Sequence, residues 1–336
     1  MNNGPLVLAV TGASGYIGSR LLQELEMEEG LAKVVAIDTR PLPATFDKVT
    51  SERLDVTQSL DDTFQAHRIN TVAHLAFTLK PGRGRREIER VRQANLTGVQ
   101  SVLKACHAAK VSSFIYLSSH TVYGAHKDNP VPIAEETPSR PSLGFQYSWD
   151  KALCEGIVQE FARENPEVSV TVLRSCVVMG PGADNFVTQA FFKPVLIGVM
   201  GYDPPLQFVH EDDVAKLLHL LIMEPCPGTF NVAGEGVVRY TRMAHLAGRR
   251  LVFLPPVLAY PLTQMAWKLG IQKDSPAAGL DFIRYPVVVS TGKLKKETGF
   301  RFSYTSEETL MAYLSGKRVV PLGHSSNTHS KRAQAL

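Results

Sequence analysis

Cysteine is scarce in this sequence, and its spacing excludes two kinds of site. Four of the 336 residues are cysteines, namely Cys106, Cys154, Cys176 and Cys226. No two of them form a C-x-x-C pair, so the sequence indicates neither a disulfide framework nor a zinc or redox motif of that type. We therefore expect reduced thiols, most of them buried, in a cytoplasmic protein.

Long apolar runs and a large excess of charge are missing as well. No run approaches the ~18 apolar residues of a transmembrane helix, and the first residues lack the basic segment of a signal peptide. The formal net charge of +4 is too small to indicate a nucleic-acid partner or a membrane surface. We expect a small-molecule substrate, no nucleic acid and no membrane span.

The sequence does contain a regular alternation of strand-like and helix-like segments. Apolar runs at 6–10, 33–37, 71–77 and 114–118 have the pattern of buried strands, and helix-like segments separate them. This alternation predicts an α/β fold with a doubly wound parallel (Rossmann) sheet. The 336 residues, 44% of them hydrophobic, suffice for one large domain with a smaller lobe.

A glycine-rich turn follows the first predicted strand directly. Residues 11–18 read TGASGYIG, and a helix-like segment comes next. Such a turn presents backbone N–H groups and a helix N-terminus to the pyrophosphate of a dinucleotide. Gly12 permits the tight turn, Gly15 lets the backbone approach phosphate, and Gly18 lets the helix pack on the strand. The alternative is a glycine-rich loop without a ligand.

An acidic residue ends the second predicted strand. Asp38 lies twenty residues after Gly18, where a carboxylate accepts hydrogen bonds from a ribose 2′-hydroxyl and repels a 2′-phosphate. This position favours NAD. Two alternatives stay open, because Arg40 could pair with a phosphate and Asp38 could be an ordinary turn residue.

Tyr147 and Lys151 are four residues apart in a predicted helix, and so lie on one face of it. A phenol titrates near ~10 in water, and a neighbouring ammonium lowers that pKa by favouring the phenolate. The pair can exchange a proton with an alcohol or carbonyl while hydride moves to or from a nicotinamide. The spacing by itself also fits a tyrosine packed on a lysine stem.

Taken together, these motifs resemble the extended short-chain dehydrogenase/reductase superfamily, in its NAD-dependent epimerase/dehydratase family. The resemblance spans residues 6–315 and rests on TGASGYIG, HLAF, NLTG, YLSSHTVYG, YSWDK, LRSCVVMGPG and FVHEDDVA, in that order. It implies a Rossmann fold and NAD as the cofactor. It also implies that Tyr147 is the acid/base and that Lys151 binds the nicotinamide ribose and lowers the tyrosine pKa. Ser119 would position the reacting oxygen, and Asn95 would support the lysine and the cofactor side.

The resemblance implies further binding residues, drawn from the glycine turn, the strand ends and the catalytic helix. For the cofactor they are Gly12, Gly15, Tyr16, Ile17, Gly18, Asp38, Arg40, Asp55, Val56, Leu75, Ala76, Phe77, Asn95, Ser118, Tyr147, Lys151 and Val177. For the substrate they are Thr121, Phe186, Leu206 and Arg284. No metal is expected, because the adjacent acidic residues of HEDD at 210–213 point in different directions at a helix start.

Three positions depart from the nucleotide-sugar members that the family is known for. Those members carry an asparagine and an arginine for the substrate diphosphate where this chain has Val177 and Leu206. Their C-terminal R-x-G-D-like element is also absent, although Arg284 is nearby. Each lost charge-assisted hydrogen bond is worth about 1.5–3 kcal/mol, so a UDP-sugar is less favoured than the family name suggests.

Four functional hypotheses follow. The first is an NAD-dependent oxidoreductase that transfers hydride at a secondary alcohol or ketone carbon. The others are a UDP-glucose-type 4-epimerase with tightly held NAD, a sterol-type dehydrogenase, and a non-catalytic NAD-sensing protein. The resemblance also implies a homodimer, formed through helices at 93–109 and 147–165.

The expected domain organisation has two parts and a tail. Residues 1–180 would form the NAD-binding domain, to which 204–236 return. Residues 181–203 and 237–318 would form a mainly helical substrate lobe. Residues 319–336 are polar and without periodicity, which predicts a disordered tail.

Overall fold

The computed structural model describes residues 5–317 except 80–83, 185–187, 189–192 and 273–274. The predicted disordered tail at 319–336 lies outside the described residues, and so does Phe186.

One large parallel sheet forms the centre of the molecule. Its strands are β1 (Leu6–Thr11), β2 (Leu31–Asp38), β3 (Val49–Arg53), β4 (Thr71–His74), β5 (Ser113–Ser119), β6 (Ser169–Ser175) and β11 (Gly228–Val232). They lie in the order β11-β6-β5-β4-β1-β2-β3, and neighbouring strands are parallel throughout. This confirms the predicted doubly wound sheet.

Helices cover both faces of the sheet. They are α1 (Tyr16–Leu25), α2 (Asp61–His67), α3 (Arg85–Ala109), α4 (Gln146–Glu164) and α5 (Glu211–Met223). On one face α1 and α5 pack on alternate strand residues such as Leu8 and Val10. On the other face α2, α3 and α4 pack on the residues between them, such as Ala9. The strands are therefore apolar on both sides, which explains the continuous apolar runs in the sequence.

The smaller part of the molecule contains short strands and helices. The strands are β7 (Val177–Met179), β8 (Val195–Val199), β9 (Pro205–Leu206), β10 (Phe208–His210), β12 (Val238–Arg239) and β13 (Arg250–Leu254). The helices are α6 (Tyr240–Leu246), α7 (Pro256–Lys268), α8 (Gly292–Thr298) and α9 (Ser306–Gly316), and 3₁₀ turns span His120–Tyr123 and Ala277–Ile283.

Two segments differ from the sequence prediction. Within the segment 237–318, which was predicted to be mainly helical, lies the strand β13, which pairs in parallel with β8. The pairing is non-local, so no turn signal next to the strand reveals it. Helix α3 begins at Arg85, eight residues before the predicted start.

The topology brings the carboxyl ends of β1, β2, β4 and β5 to one edge of the sheet. This edge is where ligands bind in open parallel sheets. The glycine turn, Asp38, residues 75–77 and Ser119 all follow or end these strands, so the fold gathers the predicted site residues. Within the described ranges, no helix is long and apolar enough to cross a membrane.

Candidate active site

The glycine turn after β1 lies so close to the loop after β4 that a side chain would not fit. Gly12 has φ +73°, and a Cβ there would lie 2.7 Å from the amide nitrogen of Ala76. A Cβ on Gly18 would overlap the carbonyl oxygen of Gly12. Helix α1 begins at Tyr16 with Gly15 as its N-cap, so no side chain caps it. The first-turn N–H groups are thus open to a phosphate, and the turn fits a dinucleotide pyrophosphate.

Asp38 is held beside this turn by two backbone donors. The amide of Ser14 donates to its Oδ2 at 3.0 Å, and the amide of Arg40 donates to its Oδ1 at 2.9 Å. The Asp38 side chain is largely buried, whereas that of Arg40 is mostly exposed. A carboxylate fixed in this way still has lone pairs for ribose hydroxyls. The arrangement therefore fits a ribose without a 2′-phosphate.

Asn95 fixes the loop after β4, which holds three of the expected cofactor residues. Its Oδ1 accepts a hydrogen bond from the amide of Thr78 at 2.8 Å, directly after Phe77. Leu75 and Ala76 face the glycine turn, as their closeness to Gly12 shows.

Asp55 and Val56 follow β3 at the far end of the same edge. Asp55 accepts hydrogen bonds from the amide and hydroxyl of Thr57, each at 2.9 Å. Val56 packs on α3 at Gly98, where a Cβ would lie 3.0 Å from it. Both residues border the region where the glycine turn and Asp38 would place an adenosine.

Tyr147 and Ser119 meet at the carboxyl end of β5. The Tyr147 hydroxyl lies near that of Ser119, and the Ser119 Oγ accepts a hydrogen bond from the Thr121 hydroxyl at 3.0 Å. The Tyr147 ring packs edge-on against Phe77 and Phe145, with centroid separations of 5.7 and 6.3 Å. Two hydroxyls are therefore close together, and each can form a hydrogen bond with the oxygen of an alcohol or ketone.

Lys151 lies one helical turn after Tyr147 and is buried. Its Nζ donates to the carbonyl oxygen of Leu117 at 2.7 Å and lies 3.9 Å from the centroid of the Phe77 ring. Burial lowers the pKa of Lys151 to about 8, because desolvation disfavours the ammonium.

The pKa of Tyr147 is raised, contrary to the lowering expected from its lysine neighbour. Burial raises it by disfavouring the phenolate, and the hydrogen bond with Ser119 acts in the opposite direction. The expected direction is therefore wrong for the protein without ligand. Spacing along a helix shows which residues are neighbours, but it does not show how well they are solvated.

A buried polar network beneath the site escaped the sequence analysis. Ser118 donates to Glu155 Oε2 at 2.6 Å, and Arg174 Nε donates to Glu155 Oε1 at 2.9 Å. Arg174 also donates to the Tyr123 hydroxyl at 2.8 Å. Ser118 thus turns its hydroxyl towards α4, and Arg174 is engaged within the sheet. The available signal was Glu155, which follows Lys151 by four residues and so shares its buried helix face.

A cavity of about 290 Å³ is lined by Thr121 and by Phe145, whose ring packs against that of Tyr147. Ser119 and Tyr147 are themselves not among its lining residues. Thr121 and Leu206, which were predicted to bind substrate, line it, and so does Val177, which was predicted to bind the cofactor. The remaining walls are largely apolar, and include Phe145, Val195, Leu196, Ile197, Phe208, Met243, Leu280, Phe282, Ile283 and Val287. His120 also lines the cavity, and burial lowers its pKa to about 4. It is therefore neutral at physiological pH.

Arg284, expected to bind substrate, is not among the lining residues of this cavity. Its guanidinium lies between the rings of Tyr202 and Tyr285, 4.7 and 4.9 Å from their centroids. It also donates to the Tyr202 hydroxyl at 3.2 Å. Two other arginines near the lobe are engaged as well, Arg239 with the Asp203 carbonyl oxygen and Arg242 with Glu307.

Comparisons with known proteins agree with this geometry. The model of the NAD dependent epimerase/dehydratase family matches residues 8–233, which is more than half of the chain. An uncharacterized protein of Mycobacterium tuberculosis is 24% identical over 324 residues, covering 95% of this chain and 86% of that protein.

Two further proteins are similar to this chain. A UDP-glucose 4-epimerase of Erwinia amylovora is 34% identical over 212 residues, covering 59% of this chain and 57% of the epimerase. The solved structure of MoeE5 in complex with UDP-glucuronic acid and NAD superposes with a TM-score of 0.72. It is 24% identical and covers 93% of this chain and 98% of that one, so it shows the same fold.

Proposed function

We propose that this chain, which belongs to the NAD dependent epimerase/dehydratase family, transfers hydride at a secondary alcohol or ketone carbon with Tyr147 as acid/base. The observation that supports this most directly is the proximity of the Tyr147 and Ser119 hydroxyls, next to residues that line a largely apolar cavity. A reacting oxygen placed between these two hydroxyls is within reach of proton transfer.

In the oxidative direction, each residue of the site has a separate role. Ser119 and Tyr147 hold the substrate hydroxyl, and the Tyr147 phenolate accepts its proton as hydride leaves the carbon. When bound, NAD supplies the hydride acceptor. Lys151 holds the cofactor ribose, and its charge then favours the phenolate. In reduction the same phenol returns the proton to the carbonyl oxygen.

The largely apolar walls of the cavity favour a substrate that is itself largely apolar. Val177 and Leu206 line it at the two places where a diphosphate would need polar partners. At these two places a diphosphate would lose hydrogen bonds to water without replacement, although Lys193 and Gln207 also line the cavity. The sterol-type dehydrogenase hypothesis, which requires an apolar pocket, is one form of this proposal.

A nucleotide-sugar 4-epimerase is the second candidate, and the similar proteins favour it. One of them is a UDP-glucose 4-epimerase, and the MoeE5 structure holds UDP-glucuronic acid and NAD. Three measurements separate the candidates. An epimerase should retain NAD through gel filtration and isomerise UDP-glucose without added cofactor. If NAD washes off and UDP leaves the melting temperature unchanged, the first candidate is favoured.

Tyr147→Phe tests the assigned acid/base. It should reduce turnover of the wild-type substrate by at least about 100-fold, whereas NAD binding should persist because the ring stays in place. Tyr304→Phe is the matched control, since Tyr304 stacks on His210 in another part of the molecule and should retain full activity. Undiminished turnover in Tyr147→Phe would show that another group transfers the proton.

We also propose a cellular location and an oligomeric state for the protein. The described cysteines are free thiols, which supports a cytoplasmic location. Trp149 and Leu153 on α4 are 37% and 41% exposed, which supports a homodimer formed through α3 and α4. Two chains buried against each other there should elute as one species of twice the chain mass in gel filtration.

A further inference from the structure

Helix α7 presents an apolar stripe to solvent. Leu258, Leu262, Met265 and Leu269 follow one another at intervals of four, three and four residues, so they lie on one helix face. They are 51%, 46%, 55% and 67% exposed. The opposite face packs inward, where Ala259 is buried together with Val199. A surface helix normally has polar residues on its outer face, so this stripe requires an apolar partner.

The paired strands β8 and β13 carry a second set of exposed apolar residues, and β8 is in contact with α7. Ile197 and Val252 are partners in the ladder, and they are 40% and 38% exposed. Val195 and Met200 are 40% and 52% exposed. We call these four residues and the α7 stripe the apolar rim. Single exposed apolar residues are ordinary, but a contiguous set marks an interaction surface.

The charged residues in the two segments that carry the rim are all basic. Residues 193–202 and 248–272 contain Lys193, Arg249, Arg250 and Lys268 and no aspartate or glutamate. Arg250 and Lys268 are exposed. The nearby acid Asp281 accepts a hydrogen bond from Tyr260 at 2.5 Å, and Asp203 accepts from the amide of Thr241 at 2.9 Å. An apolar surface bordered by cations complements the anionic headgroups and acyl chains of a membrane.

The rim and the cavity share their walls. Val195 and Ile197 line the cavity and are also part of the rim. Thr263, on the inner side of α7, lines the cavity too. A molecule dissolved in a bilayer at the rim would therefore meet the entrance to the candidate active site without crossing water.

We propose that the apolar rim docks on the surface of an anionic lipid bilayer, with α7 lying in the plane of the interface. At 13 residues, α7 is shorter than the ~20 residues that span a bilayer, so the attachment is peripheral. That the cavity then takes an apolar alcohol or ketone from the bilayer rests on the proposed function. The docking itself does not depend on it.

Vesicle sedimentation tests the docking without any assay of activity. The full chain should sediment with phosphatidylcholine vesicles that contain phosphatidylglycerol, bind phosphatidylcholine alone more weakly, and be released by salt. The double variant Leu262→Ser with Met265→Ser should weaken the partition by about tenfold or more. Met27→Ser with Met311→Ser is the matched control, because these residues are 86% and 43% exposed in other elements, and it should sediment like the wild type.

Charge reversal gives an independent variant that leaves the apolar residues intact. Arg250→Glu with Lys268→Glu should abolish the preference for anionic vesicles. All variants should keep the wild-type melting temperature and NAD affinity. The proposal is overturned if the wild type fails to sediment, or if the α7 variant and the control behave alike. It is also overturned if the wild type self-associates through α7 in sedimentation velocity and binds no vesicles, since a second copy then covers the rim.

Discussion

The ammonium of Lys151 lies 3.9 Å from the centroid of the Phe77 ring. This contact joins α4 to the loop after β4, which also carries the residues nearest the glycine turn. The ring accepts the cation on its face while the Leu117 carbonyl oxygen accepts its hydrogen bond. The lysine is therefore positioned before any cofactor arrives, although it is buried.

Burial of Lys151 predicts a specific dependence of stability on pH. Its folded pKa is lowered to about 8, below the ~10.4 of an exposed lysine. Between these values the unfolded chain holds a proton that the folded chain does not, so stability rises with pH in this window. The free energy of unfolding of the wild type, relative to Lys151→Met, should rise by about 2 kcal/mol between about pH 7.5 and about pH 9.5. Urea denaturation at both pH values measures it, and a constant difference would contradict the lowered pKa.

Asp38 should set the preference for NAD over NADP. Asp38→Asn removes the charge that repels a 2′-phosphate and keeps an oxygen for one of the two backbone donors. The ratio of the two dissociation constants should therefore narrow by about tenfold or more. Asp203→Asn is the control, because Asp203 also accepts a backbone hydrogen bond, from Thr241, outside the cofactor region. Equal affinity of the wild type for both cofactors in calorimetry would refute the assigned role.

Alanine substitutions at Gly12 and Gly236 distinguish the cost of backbone strain from the cost of a steric clash. Their φ angles are +73° and +70°, but a Cβ at Gly236 would meet nothing within 4 Å, whereas one at Gly12 would lie 2.7 Å from the Ala76 amide nitrogen. Gly236→Ala should destabilise by about 1–2 kcal/mol through the left-handed conformation alone. Gly12→Ala should lose about 1–3 kcal/mol more and weaken NAD binding. If thermal unfolding shows an equal loss of stability for both variants, the glycine turn and the loop after β4 are not in close contact.

The pair of Arg174 and Glu155 should be far more important for stability than a surface pair. Both side chains are buried, so Arg174→Met leaves an uncompensated carboxylate and should cost about 3–5 kcal/mol. Arg242→Met breaks an exposed pair with Glu307 and should cost less than about 1 kcal/mol. Denaturant midpoints measure both, and similar shifts would show that the buried carboxylate finds another partner.

Most of the residues predicted to bind the cofactor could be identified from short stretches of sequence. The turn at 11–18, Asp38 and the Tyr147–Lys151 spacing each depend on residues close together in the chain, and the structure brings them to one edge of the sheet. Their roles in binding and catalysis stay predictions, as do the division into two domains and the role of Arg284. The position of Phe186 is outside the described residues.

The sequence by itself determined the alternation of strands and helices, the glycine turn and the family, because these depend on periodicity and short motifs. Only the tertiary structure decided the solvation of the Tyr147–Lys151 pair, the engagement of Arg174 with Glu155, the pairing of β8 with β13 and the outward-facing stripe on α7. Each of these depends on contacts between residues far apart in the chain. Burial and pKa follow from such contacts, so the titration of Tyr147 and Lys151 could be read only from the folded chain.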